Sequence, residues 1–465
     1  MPAAPSTRAP LPPRTGSRTD TTSPTLLHED RQLLVLGVIA AIGAVVIGLW
    51  WVNTPAGSLR TFSDRLTAAG RITGLLGTYL ALVEVVLMAR LPWLDRAIGT
   101  DNLTRWHRQN GQYTISLLVA HAVLTVWGYA RADHVTVASE LRTVVLHYPD
   151  MLAATVGLAL FIAVSVTSVR AARQRLHYET WYFVHLYVYL ALALSFAHQL
   201  ATGNDFVTHP VSRAVWVLLY VAAGAMIVGY RLGMPIRSAV RHRLRVYGLV
   251  REGPNHVSVW VTGRHLNELA ADAGQHFRWR FLTRDHWWES HPYSLSALPD
   301  GRYLRITVKE SGDHTRGLQR LRPGTRVIAE GPYGGFTALR RRHHRVLLIA
   351  GGIGITPLRA LFEELPARPG DLTLLYRAGR DEDVVLSAEI EKIARYKGAN
   401  VRYVVGPRTM RPDPFAPRSL TKLVPDLVHH DVFVCGPPGM NEAAIAGLRA
   451  AGVPRSQIHT ENFAF

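Results

Sequence analysis

The sequence predicts a multidomain membrane protein: a six-helix transmembrane bundle, then a small antiparallel β-barrel domain, then a doubly wound α/β domain. Three observations carry this reading. Six apolar segments crowd into residues 32–231, each near the ~20 residues that a ~30 Å hydrocarbon layer demands. From His242 onward the pattern changes to short strands separated by Gly and Pro, the signature of closely connected antiparallel strands. Beyond about residue 339, apolar strands alternate with helical stretches, and the first strand runs into a glycine-rich turn. That order builds a parallel sheet.

Residues 1–31 are rich in Pro, Ser, Thr and Ala and are expected to form a disordered cytosolic tail. The apolar run beginning at Leu33 is too long and too late for a signal-peptide core, so it is expected to remain as a span. The spans are placed at Leu33–Val52, Ile72–Leu91, Leu103–Tyr129, Met151–Val169, Trp181–His198 and Val215–Tyr230. The barrel is expected over 242–338 and the α/β domain over 339–465.

The net charge of +18 would suit nucleic acid, but the arginines are scattered and no basic-aromatic module accompanies them, so no nucleic-acid partner is expected. The positive-inside rule explains the excess better. With a cytosolic N-terminus, sixteen arginines fall in inside segments and six in outside loops. Both termini then face the cytosol, and the partner is a lipid bilayer, expected to be the plasma membrane. The single cysteine, Cys435, excludes an intrachain disulfide and a cysteine-ligated iron–sulfur cluster.

Four histidines stand out inside the spans. His107 and His121 lie 14 residues apart on the third, and His185 and His198 lie 13 apart on the fifth. Ionisable groups in a bilayer are costly and usually face the bundle interior for a functional reason. A single such histidine reads best as a hydrogen-bonded core residue; two pairs on two helices running the same way read as axial ligands of haem iron. His107 would oppose His185 near the cytosolic side, and His121 would oppose His198 toward the outside. Fourteen residues return to nearly one helix face, whereas thirteen leave a rotation of about 220°. The fifth helix must therefore tilt, distort, or present its ligands in different directions, with no Pro or Gly between them to cause a kink. His177, in the arginine-rich loop before it, is the rival ligand. His134, His147 and His209 read as solvated residues of the outer loops.

In the second half, strands are expected at Arg243–Val250, Val257–Thr262, Gln275–Phe281, Arg302–Lys309 and Thr325–Ala329, and then at Arg345–Ala350, Leu372–Tyr376, Val401–Val405 and Val432–Cys435. Helices are expected at Leu358–Glu364, Ser387–Tyr396 and Asn441–Ala451. Three stretches carry chemistry. His291-Pro292-Tyr293-Ser294 offers an aromatic ring to lie against a flavin and a hydroxyl for its polar edge. Around Lys309, Gly312, Asp313 and Thr315, a glycine, a hydroxyl and helix-start amides can cradle a diphosphate, with Lys309 adding charge. Gly351-Gly352-Ile353-Gly354-Ile355-Thr356-Pro357 follows a strand and opens a helix, as a dinucleotide-phosphate turn requires. Its proline replaces the last glycine of the commonest fingerprint. Cys435-Gly436-Pro437 closes a later strand where a nicotinamide can rest, although a buried cysteine is usually a small core residue. Arg377 and Arg380 follow the second strand of this domain and can pair with a 2′-phosphate, which favours NADPH, with NADH possible. The short aromatic end, Glu461 to Phe465, reads as frayed.

Together these residues resemble the ferric reductase / NADPH oxidase superfamily, from about residue 70 to the C-terminus. The resemblance implies two b-type haems held by His107, His121, His185 and His198. It implies FAD bound through His291–Ser294 and the loop around Gly312, Asp313 and Thr315. It also implies a nicotinamide nucleotide bound through Gly351–Pro357 and Cys435–Pro437, with Cys435 and Phe463 beside the reacting rings. Because Ala464 and Phe465 extend past the usual end, either Phe463 or Phe465 is the stacking ring. His291 stands where many soluble relatives have Arg. The implied activity is transfer of electrons from cytosolic NAD(P)H through FAD and both haems to a small-molecule acceptor, ferric chelate or oxygen, or to an extracytoplasmic partner protein. The alternative is a cytosolic flavin reductase whose bundle is only an anchor or haem sensor.

Overall fold

The protein is described from a computed structural model that covers residues 24–173, 175–176, 178–284, 287–407 and 409–462. It divides into two units, one of residues 30–94 with 100–232, the other of residues 95–99 with 233 onward.

Among the described residues, six helices are long and apolar enough to cross a membrane. They are Pro24–Val52, Phe62–Leu87, Thr100–Ala132, Met151–Ser168, Tyr178–Thr202 and Pro210–Ile227, here the first to sixth spans. The first begins at Pro24, so residues 24–31, expected in the tail, are helical; residues 1–23 of that tail lie outside the described residues. The second starts well before the expected Ile72 because Thr61 and Asp64 cap it reciprocally. The Thr61 hydroxyl accepts from the Asp64 amide at 3.1 Å, and the Asp64 carboxylate accepts from the Thr61 amide at 2.9 Å. The span stops at Leu87 rather than Leu91, shortly before Arg90 takes a left-handed φ of 60° and Pro92 opens a new short helix.

Small residues set the helix packing. A Cβ at Gly70 of the second span would meet Thr125 Oγ1 at 2.4 Å, and one at Gly128 of the third would meet Thr67 Oγ1 at 2.5 Å. Such absent side chains let two backbones approach closely in a medium where apolar burial gives helices no driving force. Leu33, Val45, Phe183 and Leu218 are exposed on the outside of the helices, as lipid contact requires.

The second unit holds the barrel strands β1 (Arg245–Gly253), β2 (His256–Thr262), β3 (His276–Phe281), β4 (His291–Ser294), β5 (Tyr303–Lys309) and β6 (Val327–Tyr333). They form two antiparallel sheets, β1-β2-β5 and β4-β3-β6. Bridges Arg245↔Arg326 and Leu295↔Ile306 join the sheets at both seams. The inward residues Val259, Val261, Phe277, Trp279 and Ile306 share one buried core. The segment His291–Ser294, read from sequence as lying at the end of a strand, is itself the strand β4.

The α/β domain is a parallel sheet of β7 (Arg345–Gly351), β8 (Leu372–Ala378), β9 (Asn400–Val405), β10 (His430–Gly436) and β11 (Ile458–Asn462), in the order β11-β10-β7-β8-β9. β11 corrects the expectation of a frayed end: Glu461 pairs in register with Cys435 of β10, so edge pairing orders a segment that its composition leaves ambiguous. The helix Pro417–Leu423 was also not expected. A buried ion-pair cluster links the barrel to two helices of the α/β domain, Ile355–Glu364 and Ser387–Lys397. Arg305 of β5, with 1% of its side chain exposed, meets both carboxylate oxygens of Glu389 at 2.6 and 2.9 Å, and Arg359 meets the same carboxylate at 2.8 Å.

Candidate functional site

In the bundle, the third and fifth spans bring their histidines together in two pairs. The His107 and His185 rings stand 5.9 Å apart between centres, and the His121 and His198 rings 6.5 Å apart. Two imidazoles bonded to one metal at about 2 Å each hold their ring centres about 6 Å apart, so both pairs fit an iron between them. The fifth span is one uninterrupted α-helix from Tyr178 to Thr202. No break in the helix accompanies the thirteen-residue spacing. His177 lies outside the described residues.

The far side of each ring is also built. His107 Nδ1 abuts the Glu84 carboxylate of the second span. His185 Nδ1 lies 3.3 Å from Ser168 Oγ, which also accepts from Trp181 Nε1 at 3.3 Å. His121 Nδ1 donates to the Gly70 carbonyl at 2.8 Å. His198 Nδ1 has no hydrogen-bond partner among the described residues. A Cβ at Gly74 would strike His121 Nδ1 at 2.6 Å, so this glycine makes room for the ring. Glu84, Ser168, Gly70 and Gly74 were missed from sequence. Glu84 carried a signal: it is the one carboxylate within the expected second span, and an ionisable group there is rarely idle.

In the barrel, His291 and Tyr293 project from β4 with their rings stacked at 6.4 Å and 29°. His291 Nε2 lies 3.3 Å from Glu289. Pro292 pairs with Arg278 across β3. Burial raises the Tyr293 phenol above its ordinary value. Ser294 is 3% exposed, and its Oγ has no partner among the described residues. A buried hydroxyl without a protein partner beside an aromatic ring fits the polar edge of a flavin.

The phosphate loop differs from expectation in detail. Thr315 Oγ1 accepts from the Ser311 and Gly312 amides at 2.8 and 3.0 Å and donates to the Gly312 carbonyl at 2.9 Å. Its hydroxyl therefore holds the turn that precedes the helix Asp313–Leu318 instead of projecting to a ligand. Lys309 is paired with Asp383 at 2.8 Å, which holds that carboxyl below its usual range; the expected free cation is already partnered.

In the sheet, the order reverses between β7 and β10, and both strands end at that point: β7 in Gly351 and β10 in Cys435-Gly436. Ligands of doubly wound sheets bind at this crevice. Gly354 is required there, because a Cβ would lie 2.2 Å from the Cys435 carbonyl oxygen. Gly352 takes a φ of 51° with open space beside it, which leaves its backbone accessible to a nucleotide. Thr356, 3% exposed, turns its hydroxyl back to the Ile353 carbonyl at 3.0 Å, and Pro357 is buried in the helix that follows. Pro437 caps the next helix. Cys435 is fully buried, and burial pushes its thiol well above the ordinary value. Phe463 and Phe465 lie outside the described residues.

Arg377 and Arg380 are placed differently. The Arg377 guanidinium donates to the carbonyls of Gly406 and Pro407 at 2.7 Å each, to Val404 at 3.2 Å, and to Ala378. Arg380 pairs with Glu382 at 2.9 Å and is followed by Asp381 and Asp383. Arg377 is tied to backbone carbonyls, whereas Arg380 is 78% exposed and holds only a surface pair with Glu382.

Three family models match the chain: a ferric reductase like transmembrane component over residues 73–196, an FAD-binding domain over 253–337, and an oxidoreductase NAD-binding domain over 348–445. The first takes in His107, His121 and His185, and ends just before His198. The ferredoxin–NADP reductase B of Sorangium cellulosum is 31% identical over 189 residues, covering 37% of this chain and 77% of the relative. The toluate 1,2-dioxygenase electron transfer component of Pseudomonas putida is 27% identical over 219 residues, covering 45% of this chain and 63% of the relative. The chain spans about half to two thirds of the length of several such relatives. Among solved structures, the flavohem-like FAD/NAD binding domain of a Vibrio cholerae nitric oxide dioxygenase is 22% identical, covers 48% of this chain and 99% of its own, and has a TM-score of 0.41.

Proposed function

The chain belongs to the ferric reductase / NADPH oxidase superfamily, an integral membrane NAD(P)H-dependent oxidoreductase with a ferredoxin–NADP reductase-type module, and from that premise we propose that it moves electrons from cytosolic NAD(P)H to an acceptor on the outer face of the plasma membrane. FAD converts a two-electron donor into the one-electron steps that haem accepts, and two b-type haems would relay those electrons across the bilayer. The observation that carries the proposal is the double imidazole pairing on two parallel spans.

The chain's own residues have defined tasks in this reading. His107 with His185, and His121 with His198, hold the irons at two depths. Tyr293 and Ser294 present a ring and a hydroxyl to the flavin, with His291 stacked on the tyrosine. Gly352 and Gly354 bring backbone up to the nucleotide phosphates, and Cys435 forms the buried floor beneath the nicotinamide. The acceptor is a ferric chelate, oxygen or a partner protein.

The test uses the full chain reconstituted in liposomes, with oxygen, ferric chelate and quinone offered singly outside and NAD(P)H supplied to the reductase side. Replacement of His121 or His198 by Ala is expected to abolish reduction of the external acceptor while flavin reduction continues. Undiminished turnover in both variants, with no reduced-haem bands on adding NAD(P)H, would instead make the bundle an anchor.

A further inference from the structure

The partners of the four histidines are not alike at the two depths, and the difference has a direction. At the His107/His185 site the ring nitrogens remote from the iron meet a carboxylate, Glu84, and a hydroxyl, Ser168. At the His121/His198 site His121 Nδ1 meets the Gly70 carbonyl at 2.8 Å and, at 3.5 Å, the Thr125 hydroxyl, while His198 Nδ1 has no hydrogen-bond partner among the described residues. Among the described residues, only the His107 ring has a formally anionic partner. The Glu84 side chain is 13% exposed. A carboxylate inside a span is expensive, and pairing with an N–H is what makes it tolerable.

We propose that Glu84 is a positioning residue that sets the electron-transfer polarity of the bundle, by making the His107/His185 site the more electron-rich and hence the lower-potential of the two. The inference rests on the haem reading above. A carboxylate that accepts the Nδ1–H of a ligating imidazole fixes the tautomer with Nε2 toward the metal and raises the ligand's basicity. Its negative charge also favours the ferric state, which carries one more positive charge than the ferrous, and does so in a low-dielectric medium where screening is weak. Ser168, accepting from His185, acts in the same sense more weakly because it is neutral. The Gly70 carbonyl and the Thr125 hydroxyl orient His121 without adding charge. Second-shell hydrogen bonding is one of the levers by which a protein sets a haem potential. The potential then steps upward from the site nearer the expected cytosolic face to the one nearer the outside, so an electron entering from the reductase runs downhill across the membrane.

The experiment is spectroelectrochemical titration of the purified full chain as wild type, Glu84→Gln and Ser168→Ala, with haem content measured alongside. The wild type is expected to show two b-type waves. Glu84→Gln should raise the lower wave by about tenfold in its ferric/ferrous equilibrium, about 59 mV for one electron, and leave the upper wave in place. Ser168→Ala should move the same wave the same way by less, and it carries the test if Glu84→Gln loses its haem. Coincident waves in the wild type, or variants that shift only the upper wave or neither, overturn the proposal. A wild-type spectrum without b-type bands would overturn the haem reading itself, a result distinct from both.

Discussion

Gly74 of the second span offers the sharpest test of the close packing behind the His121 ring. A methyl group added there would meet His121 Nδ1 at 2.6 Å and Cγ at 2.9 Å, where ordinary contact begins at 3.4 Å. Because Cγ belongs to the stem of the side chain, the ring cannot simply swing its tip aside. It must retreat as a body, and the 2.8 Å bond to the Gly70 carbonyl, on the same face of the second span, is then broken. Forcing a methylene-sized group into a packed site costs about 1–3 kcal/mol, and a lost neutral hydrogen bond costs about 1 kcal/mol. At about 1.4 kcal/mol per decade the sum weakens haem retention at the His121/His198 site by roughly thirty-fold to several-hundred-fold. Haem-to-flavin stoichiometry of purified Gly74→Ala, by pyridine haemochrome and flavin absorbance, should therefore fall from two haems toward one. The retained spectrum should be that of the His107/His185 site. Two haems per flavin with unaltered potentials would refute the argument, because the ring would then have no need of the space the glycine leaves.

Two further outcomes concern the reductase unit. Burial, helped by the charge of Asp272, pushes the Glu364 carboxyl up to about 7. A carboxyl whose folded pKa is raised contributes stability that is complete below its unfolded value and is lost as pH rises through the folded one. The melting temperature of Glu364→Gln relative to wild type should therefore improve between pH 5 and pH 8, and a pH-independent difference would remove Glu364 as the cause. With Arg377 occupied by carbonyls and Arg380 by Glu382, NADH should serve at least as well as NADPH in steady-state turnover. An NADPH preference of about tenfold or more that Arg380→Ala abolishes would restore a 2′-phosphate role.

Local pattern alone determined a great deal. Span length and arginine asymmetry fix six membrane helices, because hydrocarbon admits only backbone that satisfies itself. The four histidines were legible because imidazole in a bilayer needs a reason, and the turn at Gly351–Pro357 was legible because strand, glycines and helix follow one another in the chain. Tertiary structure decided what depends on partners distant in sequence. Glu84 meets His107, Gly70 meets His121 and Ser168 meets His185 only once separate spans have packed. Arg377, Lys309 and Thr315 looked free as letters, yet folding supplies each with carbonyls, a carboxylate or amides. Strand β11 exists because β10 offers it an edge. A sequence states which groups a segment carries, whereas the hydrogen-bonding demand of those groups is met across the fold, and that is where free and occupied residues part.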